Sequence, residues 1–396
     1  MQLNQKKEFI YTDKDAFINR KKELKDLKDW INRTPKDILF IYGPKSSGKT
    51  TLLMKFIELN LSDKHYNIKH FNLREVLIAN YIDFIQAFFE VDYSKSPQEV
   101  KKRSEYSLKV FKLSKEIKQS LEKKILDPFV VMKKELQKIV KKGKRPIIII
   151  DELQALDDIY MNGQRELLKE LFNFFVAMTK ESHLCHVIIA SSDGYFMKRI
   201  YEDSKLAKTS KYYSVDYLNE ADTHYWLNHL ESESAIASFK LTDSQINLIW
   251  KYFGGSMWEI SDLLGDLIPC SKNSKISDEI LMSNIQKRIE ENCARFTHYS
   301  LFNEKRRILL IEIFNCCEIN NFFKPVNIKH LINNKLFDEE SLAHELNKLV
   351  QLNYLAFDPT KTAWHLQGNS MFYGLEQFIK SIEVENGDEI CQNKGV

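Results

Sequence analysis

The chain has 396 residues, of which 43% are hydrophobic, and this length favours two or three domains with ample core. No apolar run approaches the roughly 18 residues of a membrane span, which argues against a membrane protein. The net charge of +3 hides an uneven distribution. Residues 94–145 carry 17 Lys and Arg against 6 Asp and Glu, an excess of +11, so the rest of the chain sums to −8. This basic block indicates either a surface for an anionic partner or a solvated helical surface.

The six cysteines show no CxxC pair and no metal-ligand spacing, which predicts reduced thiols in an intracellular protein. The first 15 residues, MQLNQKKEFIYTDKD, lack the apolar stretch of a signal peptide. We therefore expect a cytoplasmic protein that does not enter a membrane.

Apolar runs and helical patterns alternate along the first half of the chain. The run at 37–42 is followed at once by GPKSSGKTTLLMKFIELN, which predicts a buried strand, a glycine-bearing loop and an amphipathic helix. Two more buried strands are predicted at 146–150 and 186–190, with helices such as 164–179 between the strands. The alternation predicts an α/β fold with a doubly wound parallel P-loop sheet, and ligands at the carboxyl ends of its strands.

About 100 residues separate Lys49 from Asp151, more than one or two βα units need. This excess coincides with the basic block. Pro128 marks a break between two apolar patterns of helical spacing. The positions of these two patterns are Val110, Leu113, Ile117, Leu121 and Ile125, then Phe129, Met132, Leu136 and Ile139. We predict a helical hairpin at 94–145, inserted into the nucleotide domain.

After Val215 the strand signals stop, and helix-sized segments predict a small helical lid. From Phe302 three helices precede two β-like segments around a turn, which is the order of a winged helix. The sequence from Glu383 is polar and predicts a disordered tail. The predicted domains are an ATPase core at 1–216, a helical lid at 217–290, a winged helix at 291–385 and a polar tail at 386–396.

Residues 43–50 match the pattern GxxxxGK[ST] in full. The glycines let backbone N–H groups close around phosphates, and the following helix adds positive potential. Lys49 is expected to reach the β- and γ-phosphates of ATP, and Thr50 to place its hydroxyl on Mg²⁺. The alternative, a chance glycine-rich turn, fits the strand–loop–helix context less well. The predicted nucleotide-binding residues of this loop are Gly43, Pro44, Lys45, Ser46, Ser47, Gly48, Lys49, Thr50 and Thr51.

Polar residues follow the two later strands. Asp151 comes after four isoleucines and is predicted to hold Mg²⁺ through water, while Glu152 beside it is predicted to polarise the attacking water. The alternative is an ordinary acidic helix cap. Ser191 and Ser192 end the next strand, where a polar group could sense the γ-phosphate; a turn of small residues is the alternative there. The predicted catalytic residues are therefore Lys49, Glu152, Ser191 and Ser192.

The chain resembles the archaeal-type ATPases of the AAA+/STAND group, relatives of origin-recognition ATPases. The resemblance starts at residues 17–24, FINRKKEL, which look like the family's F-x-x-R-x-x-E-L opening. It continues through the phosphate-binding loop, the Asp-Glu-Leu-Gln at 151–154 and the two serines, and the lid and winged helix follow in the family's order. The resemblance implies that Phe17 and Arg20 lie near the adenine base.

Two departures from the family's pattern bear on catalysis. Family members often carry an arginine after the third strand, whereas here residues 205–209 offer only Lys208, and Arg199 lies closer to the strand. Lysine lacks the planar fork that suits an arginine finger. Trp258 stands where origin-type relatives place a sensor arginine. We therefore expect hydrolysis to be slow or completed by a partner.

The motifs predict a Mg²⁺-dependent protein that binds and hydrolyses ATP. One interpretation is a nucleotide-driven switch or scaffold that binds protein partners or itself, with the winged helix packed against the core. The other is a nucleic-acid-associated ATPase that binds DNA or RNA through residues 94–145. The presumed recognition helix at 337–351 carries four acidic residues against one lysine, which opposes entry into a groove between phosphates. Both interpretations stay open on the sequence.

Overall fold

The structure, a computed structural model, describes residues 16–91, 110–161, 165–202, 206 and 208–392, with side chains to residue 383. The part of the predicted insert at 94–109 therefore lies outside the described residues. Within these ranges, no helix combines the length and the apolar character needed to cross a bilayer.

Nine strands are described, and five of them form one parallel sheet in the order β2-β5-β6-β1-β7. The strands are β1 (Ile38–Tyr42), β2 (Tyr66–Asn72), β3 (Phe89–Val91), β4 (Phe111–Leu113), β5 (Arg145–Asp151), β6 (His186–Ser191), β7 (Ser210–Ser214), β8 (Leu355–Asp358) and β9 (Ala363–Leu366). Strands β3 and β4 pair in parallel as a separate ribbon, and β8 and β9 form an antiparallel hairpin.

Helices cover both faces of the sheet and build the second half of the chain. They are α1 (Lys21–Ile31), α2 (Lys49–Asn60), α3 (Tyr81–Phe88), α4 (Lys115–Glu122), α5 (Pro128–Lys141), α6 (Leu167–Val176), α7 (Gly194–Glu202), α8 (Glu220–Asn228), α9 (Leu230–Ser234), α10 (Asp243–Phe253), α11 (Met257–Leu267), α12 (Asp278–Ser300), α13 (Glu304–Asn320), α14 (His330–Asn333), α15 (Glu339–Gln351) and α16 (Asn369–Gln392).

The four isoleucines of β5 show why the sheet strands are continuously apolar. All four are fully buried, and alternate side chains point to opposite faces. Ile148 and Ile150 pack in one cluster with residues of α3, α5 and α6, while Ile147 and Ile149 pack in another with α1 and α2. A parallel strand that is covered on both faces needs no polar alternation. The predicted α/β parallel sheet is confirmed.

The described part of the predicted insert packs onto the sheet. Helix α5 begins at Pro128, where Asp127 caps its first turn, and its residue Leu136 lies in the same buried cluster as β5. The first predicted helix is shorter than expected, since Val110 precedes β4 and Leu113 belongs to it. Ser114 then accepts a hydrogen bond from the backbone of Ile117 and starts α4. The limits of the insert stay a prediction.

The lid and the winged helix share one long helix. On α12, Ile285 packs in the lid cluster and Phe296 in the winged-helix cluster, so the predicted boundary at residue 290 falls inside a continuous helix. The predicted order of three helices and a hairpin is present as α13, α14, α15, β8 and β9.

The final helix, α16, was not predicted from the sequence. It packs along α12 through an apolar stripe of helical spacing that includes Leu375 and Phe378. Its backbone continues to Gln392, so the prediction of a disordered tail from Glu383 is wrong over most of that stretch. The spacing of the apolar residues at 371–382 was the available signal.

Gly255 allows the lid to approach the end of the core. A Cβ at this position would lie 1.9 Å from the carbonyl oxygen of Leu218, a backbone atom that cannot turn away. We predict that Gly255→Ala destabilises the fold by about 1–3 kcal/mol, as overpacking does. The measurement is the shift of the thermal melting midpoint.

Gly265→Ala is the matched control, because a Cβ there meets no atom within 4 Å and the residue lies inside α11. Alanine should stabilise that helix by up to about 1 kcal/mol. Equal losses in the two variants would contradict the close approach as the cause.

Candidate nucleotide site

The loop between β1 and α2 depends on its two glycines. Gly43 has φ 151°, and a Cβ there would lie 2.2 Å from the carbonyl oxygen of Val215. Gly48 has φ 86° and precedes the first turn of α2 in a left-handed conformation. Both positions favour a residue without a side chain. The loop can therefore pass close to the Val215 carbonyl at the carboxyl edge of the sheet and turn directly into α2.

Lys49 folds over this loop. Its Nζ donates to the carbonyl oxygens of Gly43 at 3.0 Å and Pro44 at 2.7 Å, and lies 3.3 Å from Ser47 Oγ. Burial lowers the pKa of its ammonium to about 8, despite the opposing effects of Glu152 and then Asp151. The lysine thus carries a positive charge, largely removed from water, that anionic oxygens in the adjoining cavity would stabilise.

Thr50 and Asp151 form a direct hydrogen bond. Thr50 Oγ1 donates to Asp151 Oδ2 at 2.5 Å. The other carboxylate oxygen, Oδ1, is buried and has no hydrogen-bond partner among the described residues, and burial raises the pKa of this carboxyl. A hydroxyl and an unpartnered buried carboxylate oxygen are the hard oxygen donors that a hydrated Mg²⁺ prefers. This donor pair fits the predicted metal position.

Glu152 leaves the strand in a left-handed conformation, with φ 62°. Its Oε1 accepts hydrogen bonds from the Arg74 guanidinium and from Ser192 Oγ, the latter at 3.0 Å. Its Oε2 accepts from the amide of Gln154. Both oxygens of the carboxylate are therefore engaged in this arrangement.

Arg74 was not found by sequence reasoning. It follows β2, and β2 lies beside β5, so its side chain reaches both Glu152 and Ser192. No motif marks it, because the neighbour of β5 in the sheet depends on strand order. Gln154 was quoted only as part of the family likeness, yet it also accepts from Ser191 Oγ at 3.0 Å.

The two serines after β6 have different surroundings. Ser192 lines the cavity beside Glu152, whereas Ser191 is fully buried. Ser191 Oγ also accepts from the backbone N–H of Asp193 at 3.0 Å, which is the local hydrogen bond of a turn. The geometry thus places Ser192 at the cavity and Ser191 behind it.

Arg20 connects three segments at the base of the site. Its guanidinium donates to the carbonyl oxygens of Ser47 at 3.0 Å and Asp216 at 2.7 Å, and to Glu23 at 2.8 Å. It is buried, with 8% of its surface exposed. Arg20 therefore holds the loop against the strand end that leads into the lid, while Phe17 beside it lines the cavity.

A cavity of about 310 Å³ lies between the loop, the segment around Phe17 and the lid. Trp258 of α11 closes one side with a half-exposed indole, and the Arg288 guanidinium lies 5.7 Å from its ring. Neither of the candidate arginine-finger residues lines this cavity. Arg199 pairs with Asp157, and Lys208 precedes β7 at the opposite edge of the sheet.

Comparison with known proteins gives the family. Residues 17–263 match the family described as an ATPase domain predominantly from Archaea, and the chain belongs to this family. An ATP-binding protein of Methanocaldococcus jannaschii is 34% identical over 330 residues, covering 82% of this chain and 85% of the relative. A second ATP-binding protein of the same organism is 33% identical over 338 residues, covering 79% and 96%. The predicted kinship with archaeal ATPases is confirmed.

Solved structures give the fold. The Walker-type ATPase of Pyrococcus abyssi aligns with a TM-score of 0.60 at 14% identity, covering 91% of this chain and 96% of that chain. The ORC2 protein of Aeropyrum pernix in its ADPNP–ADP complexes aligns with a TM-score of 0.51 at 10% identity, covering 93% and 96%. The fold is therefore that of an AAA+ P-loop ATPase with a winged helix at its C-terminal end.

Arg20 offers a direct test of this geometry. In Arg20→Ala the buried carbonyl of Ser47 and the partly buried carbonyl of Asp216 lose their donor. We therefore expect a loss of about 2–3 kcal/mol in unfolding free energy. Arg199→Ala is the control, because it removes an arginine that is 52% exposed and paired with Asp157. That ion pair should contribute less than about 1 kcal/mol. Urea unfolding followed by tryptophan fluorescence measures both; losses of similar size would contradict the assigned role.

Proposed function

We propose that this protein binds and hydrolyses ATP with Mg²⁺ and acts as a nucleotide-driven switch toward protein partners. The observation that supports it best is a hydrogen bond between the winged helix and the phosphate-binding loop. The side-chain oxygen of Gln367 accepts from the backbone N–H of Lys45 at 3.2 Å. The winged helix, which we propose responds to nucleotide, therefore contacts the proposed nucleotide site.

The chemistry follows from the cavity's own groups. The N–H groups of the loop and the Lys49 ammonium would hold the phosphates, and Arg20 keeps the loop in place. Mg²⁺, held through Thr50 and Asp151, would neutralise phosphate charge. Glu152 is the residue able to take a proton from water, but it must first exchange at least one of its present hydrogen bonds. Slow basal hydrolysis is consistent with a base whose two oxygens are occupied.

The winged helix meets the site through one short segment, residues 367–370. Tyr217 supports the contact by donating its hydroxyl to the carbonyl oxygen of Lys45 at 3.0 Å. Three residues further on, Ser370 donates to the carboxylate of Glu259, which follows Trp258 on the lid helix. Loop, lid and winged helix therefore share a single junction, which we call the 367–370 junction.

A second contact holds the β8–β9 hairpin against the core. Tyr42, at the carboxyl end of β1, donates to Asp358 at 3.3 Å and lies 3.2 Å from the hydroxyl of Thr360. Gly194, at the start of α7, lies so close to Phe357 that a Cβ would come within 2.8 Å of it. Helix α15 also contacts α7. Helix α15 and the β8–β9 hairpin are the parts with which a winged helix would contact DNA. Here both contact the core, which favours a protein switch.

The coupling has a simple energetic basis. A ligand shifts an equilibrium only if it binds one state better than the other. The Lys45 N–H, now engaged with Gln367, belongs to the loop whose N–H groups would receive phosphate. The nucleotide and the docked winged helix therefore compete for the backbone N–H groups of one short loop. This competition gives nucleotide state a way to change the position of the winged helix.

Two substitutions separate binding from hydrolysis. Lys49→Ala should abolish ATP binding, because it removes the cation beside the phosphates. Glu152→Gln should bind ATP within a few-fold of wild type and lose at least about 10²-fold in kcat, as removal of a general base does. Calorimetric binding and phosphate release measure the two effects.

Lys55→Ala, on the exposed face of α2 and paired with Glu58, is the control for lost positive charge and should behave as wild type. If Glu152→Gln hydrolysed ATP at the wild-type rate, the assignment of the base would be wrong.

Gln367→Ala tests the junction. It frees the Lys45 N–H for phosphate, so nucleotide should bind more tightly by about three- to tenfold, the equivalent of one hydrogen bond. Gln351→Ala, on an exposed position at the end of α15, is the matched control and should leave affinity unchanged. Unaltered nucleotide affinity in Gln367→Ala would remove the proposed link between the winged helix and the site.

A further inference from the structure

Basic residues collect where the strands of the parallel sheet begin. All five strands run in one direction, so their amino ends meet at the edge opposite the nucleotide cavity. The segments at or just before these ends carry ten Lys and Arg against three Asp and Glu, and each segment contributes at least one cation. These segments, which we call the amino-edge face, are 32–37, 61–65, 141–145, 180–185 and 208–211.

The segments form one surface. The backbone N–H of Arg145 donates to the carbonyl oxygen of His65 at 2.9 Å, and His183 Nδ1 lies 2.6 Å from the carbonyl oxygen of Pro35. Nine of the ten cations are exposed, and Lys144 is half-buried. Lys211 pairs with an acid of the same face, Asp37, at 3.3 Å, and no other of the ten has an ion pair among the described residues. The excess of positive charge is therefore largely unneutralised.

Helix dipoles explain only part of this pattern. Most of these segments follow helix C-termini, where a cation contributes about 0.3–1 kcal/mol. One cation at each helix end would satisfy that interaction. Residues 141–145, however, place Lys141, Lys142, Lys144 and Arg145 at the end of a single helix, α5. The surplus points to an anion outside the chain.

The face lacks the side chains that other anionic partners require. None of the exposed large hydrophobic residues among those described lies within the five segments, although Val140 borders one of them. Insertion into a membrane and stacking on unpaired bases both need such side chains. Five strands at about 4.8 Å spacing make the face roughly 19 Å wide. A duplex across it would present about eleven phosphate charges.

We propose that the amino-edge face binds the phosphate backbone of double-stranded nucleic acid without reading its sequence. This function is independent of the nucleotide switch and uses the opposite edge of the sheet. It leaves the cavity, lid and winged helix uncovered when the duplex is bound. It also differs from binding by the basic block at 94–145, which shares only its last residues with the face.

The test uses the full-length protein and a fluorescent DNA duplex of mixed sequence, titrated by anisotropy over a series of salt concentrations. The variant Lys36→Ser/Lys180→Ser/Lys208→Ser removes one cation from each of three segments, all outside 94–145. We expect affinity to fall about tenfold at low salt. The slope of log affinity against log salt should fall in magnitude by roughly 2 to 3. Each phosphate contact that the variant loses is one fewer phosphate from which counterions are released on binding.

The control Lys324→Ser/Lys329→Ser/Lys335→Ser removes the same charge from exposed positions of the winged helix and should bind like wild type. The proposal would be overturned if the wild type showed no salt-dependent binding, or if variant and control lost equal affinity. Equal binding of wild type to phosphatidylserine vesicles would also overturn it, since any anionic surface would then suffice. ATP affinity should be unchanged in both triple variants, so failure here leaves the proposed switch standing.

Discussion

The convergence of parallel strand ends at one edge is the constraint on which this molecule depends. Strand β6 lies between β5 and β1, so the residues after it sit between the acidic pair and the phosphate-binding loop. Ser192 therefore reaches Glu152, and Thr50 reaches Asp151, across about 40 and 100 residues of sequence. Hydrogen bonding between strands fixes these distances, and the apolar layers on both faces fix the strands.

The same edge concentrates charge that folding has removed from water. Burial lowers the pKa of Lys49 to about 8 and raises that of Asp151, so both charged forms are less favourable than in solvent. A phosphate beside the lysine, or a cation beside the carboxylate, would relieve that cost. The charged groups of the site are thus less stable without ligand than they would be with a phosphate and a cation bound. Arg20 and Arg74 keep it assembled by binding carbonyl oxygens and Glu152.

Sequence predicted the parts of this arrangement that depend on short segments. The loop pattern at 43–50, the acids after four isoleucines and the order of lid and winged helix are all local in the chain. Arg74 and Gln367 could not be predicted in the same way. The contact of Arg74 depends on which strand neighbours β5, and that of Gln367 on how the winged helix docks, and neither leaves a pattern in nearby residues. Helix α16 differs, because the helical spacing of its own apolar residues is sufficient to predict it.

In the proposed switch, nucleotide at the cavity alters the docking of the winged helix through the 367–370 junction. Hydrogen exchange of the Glu152→Gln protein, with and without Mg²⁺ and ATP, measures this most directly. We expect changed protection in the loop at 43–50 and, at the same nucleotide concentration, in β8, β9 and the start of α16. Changed protection in the loop alone, with the winged helix unaffected at saturating nucleotide, would contradict it.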